Sequence, residues 1–474
     1  MRQAPWILPL ATGLIVGVTP WPALAHGSEG GLVLLLPTGY YILGAAFTVL
    51  VTFLLISLLP DSVTRAMYRG EHPLLTVPAP SAALISSLSF LLLLVMVLAG
   101  LLGARDPLTN PLPAFVWTIF WVCLTILHGL FGPLWQALNP WTGPLVLLRR
   151  FTGSRLGDLV ILRLPNSLGY AIAIVQFFAF AWFELVDVAP SDPARLAVAV
   201  SGYWLANFTA MMLFSERDWC ARAEPFSIFF SLVGRCAPIG WETNEKGRLQ
   251  MKIGWPGHFL FGLPPLSASG VLFVLLTLGT VSFDGLSRTF VWLAAIGVNP
   301  LDFPGRSAIV APSTHGILGT WAALSALFFA SIGLGGLLSG ERRLDLLAGR
   351  LVYSIIPISI AFQIAHYLTL VLVEIQNFMK ALADPFSLGW DLTGTRDLHV
   401  TTSFLNVYET VIAIFNTQTI AIALGHVVAV ILAHALLLDL TDGKRRVFLM
   451  ELPLAALMVF YTAFGLWLLS TPRI

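Results

Sequence analysis

Within the apolar stretch Leu351–Gln376, LVYSIIPISIAFQIAHYLTLVLVEIQ, stand Gln363, His366, Tyr367, Glu374 and Gln376. The stretch is long enough to cross a bilayer, and an ionisable side chain in hydrocarbon is costly unless it faces a protein interior or a wet cavity. His426 sits in a second apolar stretch, Thr417–Leu440. At 1.5 Å per residue both histidines fall about 15 Å from the same membrane face, which puts them in one layer, with His128 about 21 Å deep. Glu184, Glu374 and His315 fall nearer that face. The pattern reads as an outward vestibule with carboxylates at its mouth and imidazoles at its floor.

Three chemistries fit these residue types. A divalent metal, zinc or copper, held by imidazoles and a carboxylate would make a nucleophile from bound water. Without metal, His366 or His426 would be a general base tuned by a carboxylate. Histidines and glutamates at several depths could also relay protons or ions. Against all three stands the plain reading, in which a buried histidine bonds a neighbouring helix. The expected metal ligands are His26, His315, His366 and His426. His434, eight residues past His426, is about 12 Å along the same helix and too far to share its metal.

The elements that must position these groups are membrane spans. Of 474 residues 57% are hydrophobic and 11% charged, less than half the charge of an ordinary soluble domain. A net charge of +1, with basic residues dispersed in short loops, argues against a nucleic-acid partner. The three cysteines imply no disulfide framework, and no P-loop, HExxH or CxxC occurs. The fold class is therefore all-α, a polytopic membrane helix bundle whose first partner is the lipid bilayer.

Residues 1–25 read as a cleavable signal peptide ending Ala23-Leu24-Ala25, so that the mature chain starts at His26. A single helical domain over 26–474 follows, with ten spans near Leu32–Leu59, Ala82–Gly103, Ala114–Ala137, Ser167–Val188, Arg195–Phe214, Phe259–Val281, His315–Leu338, Leu351–Gln376, Thr417–Leu440 and Val447–Leu469. With the mature terminus outside, 18 basic residues fall in inner loops and 7 in outer ones, as the positive-inside rule requires. Both mature termini are then external. The cytoplasmic loop 215–258 carries an expected surface helix at Glu224–Phe230. The outer loop 377–416 holds Asp384, Asp391, Asp397, His399 and Glu409 and could lid a cavity. Most of the 15 tryptophans are expected to face lipid or the interfacial belt.

Several stretches, in order and spacing, carry a resemblance. They include Ala25-His26-Gly27, Asn139-Pro140-Trp141, Phe180-Ala181-Trp182-Phe183-Glu184-Leu185, Glu224-Pro225-Phe226-Ser227, Ser282-Phe283-Asp284-Gly285, Ala365-His366-Tyr367, Asp384-Pro385, Gly425-His426-Val427 and Ala433-His434. The chain resembles a family of bacterial multipass membrane proteins labelled fenitrothion hydrolase. That resemblance implies the bacterial inner membrane and hydrolysis of phosphotriesters or phosphorothioates at the aryl-ester bond. Gln376 agrees with the family pattern, whereas Glu374 stands where the pattern has Gln. The expected catalytic residues are then His366, His426, Asp284 and Glu184, with Asp284 or Glu184 orienting a histidine or the water. Tyr367, Gln376 and Asp384 would contact a small apolar substrate. The competing expectations are a transporter or copper-handling protein with a periplasm-facing His/Glu site, and a structural subunit paired with a second membrane subunit.

Overall fold

The computed structural model describes residues 33, 36–152, 162–299 and 305–471. The expected signal peptide and His26 lie outside them. Among the described residues nine helices are long and apolar enough to cross a membrane. The tenth expected span is the 15-residue helix Ala171–Leu185, about 22 Å long and short of a roughly 30 Å hydrocarbon core.

The helices that matter below are α1 (Thr38–Leu58), α2 (Ala82–Leu102), α3 (Pro111–Phe131), α4 (Ala171–Leu185), α5 (Pro193–Phe214), α6 (Pro225–Cys236), α7 (Ala268–Ser287), α8 (Val310–Ser339), α9 (Ile355–Ala383), α10 (Tyr408–Leu440) and α11 (Lys444–Ser470). Strands β1 (His72–Pro78), β2 (Ile239–Thr243) and β3 (Arg248–Ile253) form an antiparallel sheet in the order β1-β3-β2 at one end of the bundle. That sheet end also carries Lys252, ion-paired to Glu71 and Glu242. The far end carries Arg288, Arg306 and the loop after α9.

The bundle is organised around α7 rather than α9. Its most apolar window is 83% buried, the highest share of any spanning helix here. Small residues allow this: Gly270, Thr277, Gly279, Thr280, Ser282 and Gly285 let neighbouring backbones come close. A side chain at Gly279 would come within 3.2 Å of the Trp321 backbone on α8.

Two expectations are corrected. The helix placed on the membrane surface is α6, and nine of its twelve residues are buried. In its sequence, PFSIFFSLVGRC, the polar residues Ser227, Ser231 and Arg235 recur every four positions on one narrow stripe and are the three not buried, and the wide apolar remainder belongs in a core. Phe226 and Phe230 pack on Phe120 of α3, and Gly234 lies against Pro133 so closely that a Cβ would meet its nitrogen at 2.5 Å. Glu224 caps this helix, accepting from the amides of Phe226 (3.0 Å) and Ser227 (2.5 Å) and from the Tyr203 hydroxyl. The tryptophans are also less peripheral than expected, since Trp121, Trp135, Trp141 and Trp219 are buried.

Between α8 and the short helix before α9, Glu341 at the sheet end accepts from the Arg343 side chain (3.1 Å) and pairs with Arg446 (3.1 Å). The Arg343 guanidinium and amide hold its carboxyl down to about 2. A carboxyl lowered on folding stabilises above its ordinary value of 4.5 and loses that contribution as pH falls toward 2. Glu341→Gln is therefore expected to cost less than about 1 kcal/mol near neutral pH, with wild type and variant melting together at pH 2 in paired thermal scans.

Candidate functional site

Asp284 lies one turn from the far end of α7 with its side chain 3% exposed. A carboxylate there is tolerable only if it is paired and hydrogen-bonded. Its Oδ2 meets His366 Nε2 at 2.8 Å and accepts from the Tyr367 hydroxyl at 2.9 Å. Its Oδ1 faces Arg288, the residue just past the end of α7, at 3.3 Å. His366 and Tyr367 are consecutive on α9 and reach the same carboxylate from two sides. The His366 ring stacks on Phe362, one turn earlier, at 5.7 Å. The result is a fixed Asp–His–Tyr–Arg cluster whose Arg288 side chain is 54% exposed.

Glu184, three residues after Ala181 on α4, stands beside this cluster and shares a narrow cleft with Tyr367, Thr280 and Trp121. Among the described residues its carboxylate has no side-chain hydrogen bond, although its backbone carbonyl accepts from Arg306 at 2.9 Å. Arg195 and Asp187 pair at 2.7 Å nearby. Glu184 is thus the acid of the cluster left available for chemistry.

The other wall of Phe180 faces a chamber of about 640 Å³ between α2, α3, α4 and α5, within the range of small-molecule sites. Its lining is almost wholly apolar and aromatic, including Phe115, Phe120, Phe183 and Trp204, with Gln176 and Tyr203 as polar members. Leu92 and Leu127 line it and are also 47% and 41% exposed on the bundle surface, so the chamber opens sideways toward lipid. Phe115–Cys123 of α3 is π-helical and supplies much of this wall. Such wide turns recur at functional sites. The Trp121 carbonyl within it accepts from Thr125 (2.6 Å) and from Gln363 of α9 (3.2 Å).

Comparisons with family models, with curated proteins and with solved structures found no match to this chain.

The site's geometry separates residues the sequence groups together. Gln418 donates to the Ala365 carbonyl at 2.9 Å, and Gly425 packs on Ala361 and Pro357. His366 is therefore level with Gln418, eight residues or about 12 Å along α10 from His426. The two histidines do not share a layer, because α9 runs on to Ala383, well beyond its contact with Gln418, while α10 begins nearer that contact at Tyr408, so the outer ends of the two helices are not level. His426 instead bonds the Ile422 carbonyl (2.8 Å) and lies beside Tyr461, whose hydroxyl meets Ser282. His315 is exposed on α8. Among the described residues no three His, Cys, Asp or Glu side chains converge as metal ligands.

Two expected substrate contacts have other work. Gln376 clasps Thr401, donating to its carbonyl at 3.2 Å and accepting from its amide at 3.0 Å. Asp384 accepts from the amides of Leu388 (2.8 Å) and Gly389 (2.7 Å) and closes a turn. Both side chains fasten the outer loop to α9. Tyr367 does belong to the cluster.

Sequence reading missed Arg288, counted only as a loop charge, and Glu451, which pairs with His434 at 2.6 Å with both side chains buried. Glu224 was legible, since an acid directly before Pro225 is a helix-start signal.

Proposed function

We propose that this protein is a membrane-embedded hydrolase of apolar esters, with organophosphorus triesters as the substrate class. It would lie in a bacterial inner membrane with its sheet end in the cytoplasm. The observation that carries the reading is the available Glu184 carboxylate in a cleft that shares Phe180 as a wall with a substrate-sized apolar chamber open to lipid. A lipophilic ester partitions into the bilayer, enters between α2 and α3, and buries its aryl and alkyl groups against the aromatic wall. The resemblance to fenitrothion hydrolases supports the choice of phosphorus as the reacting centre.

In this mechanism Phe180 rotates to join chamber and cleft. Glu184 takes a proton from water while the water oxygen bonds phosphorus. The phosphorus–aryloxide bond breaks, and the departing aryloxide recovers the proton from Glu184. Arg288 offsets negative charge on the phosphoryl oxygen, and Asp284 holds Arg288, His366 and Tyr367 in register. No step runs through a metal.

The test is release of 4-nitrophenolate from a dialkyl 4-nitrophenyl phosphate by the purified protein in lipid nanodiscs. Glu184→Gln is expected to lower kcat about 10²- to 10⁴-fold, the usual contribution of a positioned base, and a chelator should leave turnover unchanged. Absence of wild-type turnover, or an unaffected variant, overturns the reading.

A further inference from the structure

Buried titratable groups form a series that starts at the Asp284–His366 pair on α7 and α9 and continues, through groups that the proposed hydrolysis does not use, along α10 and α11. These helices pack side by side with their residue numbers running in opposite directions. At the far end stands the Asp284–His366 pair beside exposed Arg288. Next come Ser282, Tyr461 and His426, with the Ser282 and Tyr461 hydroxyls bonded and the His426 ring 6.4 Å from that of Tyr461. About 12 Å further along α10 is the His434–Glu451 pair, with side chains 5% and 1% exposed. Asp439, five residues or about 7.5 Å beyond His434, closes the series at the sheet end, 56% exposed and paired to Arg350 at 2.6 Å.

Each station carries a cost in hydrocarbon that an apolar residue would avoid, and one seam of the bundle holds them all. We propose that they are the stations of a proton path across the membrane. A proton entering at Asp284–His366 passes through the hydroxyls of Ser282 and Tyr461 to His426, then to Glu451 and His434, and leaves at Asp439. Every station regains the proton it gives up, so the path needs a pH difference and no other reactant.

The interval between His426 and the His434–Glu451 pair, about 12 Å along α10, exceeds direct transfer and requires water. Both ends of it are prepared for water. Nε2 of His426 and Oε1 of Glu451 are fully buried and have no hydrogen-bond partner among the described residues. Buried polar atoms of this kind are ordinarily satisfied by ordered water. A pair serving only to join α10 and α11 would gain nothing from leaving one carboxylate oxygen unsatisfied.

The experiment is proton uptake into liposomes holding the full chain and an internal pH dye, with a potassium diffusion potential imposed by valinomycin. Wild-type vesicles are expected to take up protons well above protein-free vesicles. Glu451→Gln and, separately, His426→Phe should each reduce the excess at least tenfold, while thermal scans show both variants folded. Glu451→Gln should retain wild-type ester turnover, because Glu451 is remote from the chamber, so this path can fail without the hydrolase reading and the reverse. Wild-type uptake equal to protein-free vesicles, or undiminished uptake in both folded variants, overturns the proposal.

Discussion

Asp284→Ala is expected to destabilise the folded protein by about 3–5 kcal/mol, the loss typical when one member of a buried charged pair is removed. Asp284 accepts from two groups and balances a third. Alanine would leave the Tyr367 hydroxyl and His366 Nε2 buried without their acceptor, and each such atom costs about 1–3 kcal/mol. Arg288 is half exposed and recovers water, so it adds little. A double change, Asp284→Ala with His366→Phe, should recover part of the loss, because a ring that stacks on Phe362 needs no acceptor. Chemical denaturation in mixed micelles checks both statements. A single-variant loss under about 1 kcal/mol would mean that the cluster is wetter than its 3% exposure implies.

Ala199→Trp is expected to weaken binding of an apolar ester at least tenfold, about 1.4 kcal/mol, with little change in stability. Ala199 lies on α5 and lines the chamber. An indole there occupies space rather than overpacking a filled core, so the strain that usually follows a small-to-large change is avoided. The ligand loses the apolar contact area that the indole takes, at roughly 25 cal/mol per Å². Titration of a fluorescent aryl ester into nanodiscs measures this. Unchanged affinity in the folded variant would place the ligand elsewhere.

The class of the protein was legible without coordinates. A chain 57% hydrophobic, with apolar runs of span length and basic residues concentrated in alternate loops, points to a membrane bundle. His366 was also legible as a residue with a task, because hydrocarbon makes an unpartnered imidazole expensive. The extent of helices was less so: Leu344–Ala383 and Tyr408–Leu440 run 40 and 33 residues, beyond what hydropathy alone marks.

Partnership was decided only by tertiary structure. Sequence gives position along a helix, whereas contact depends on where a helix starts, how it tilts and which neighbour it meets. That is why His366 joined Asp284 rather than His426, and why Gln376 and Asp384 became loop fasteners. It is also why α6, read as a surface helix, fills the core with Phe226 and Phe230. The chamber arises from four helices that hydropathy treats alike. A void between helices leaves no periodic mark on any one of them, so only their packing could show it.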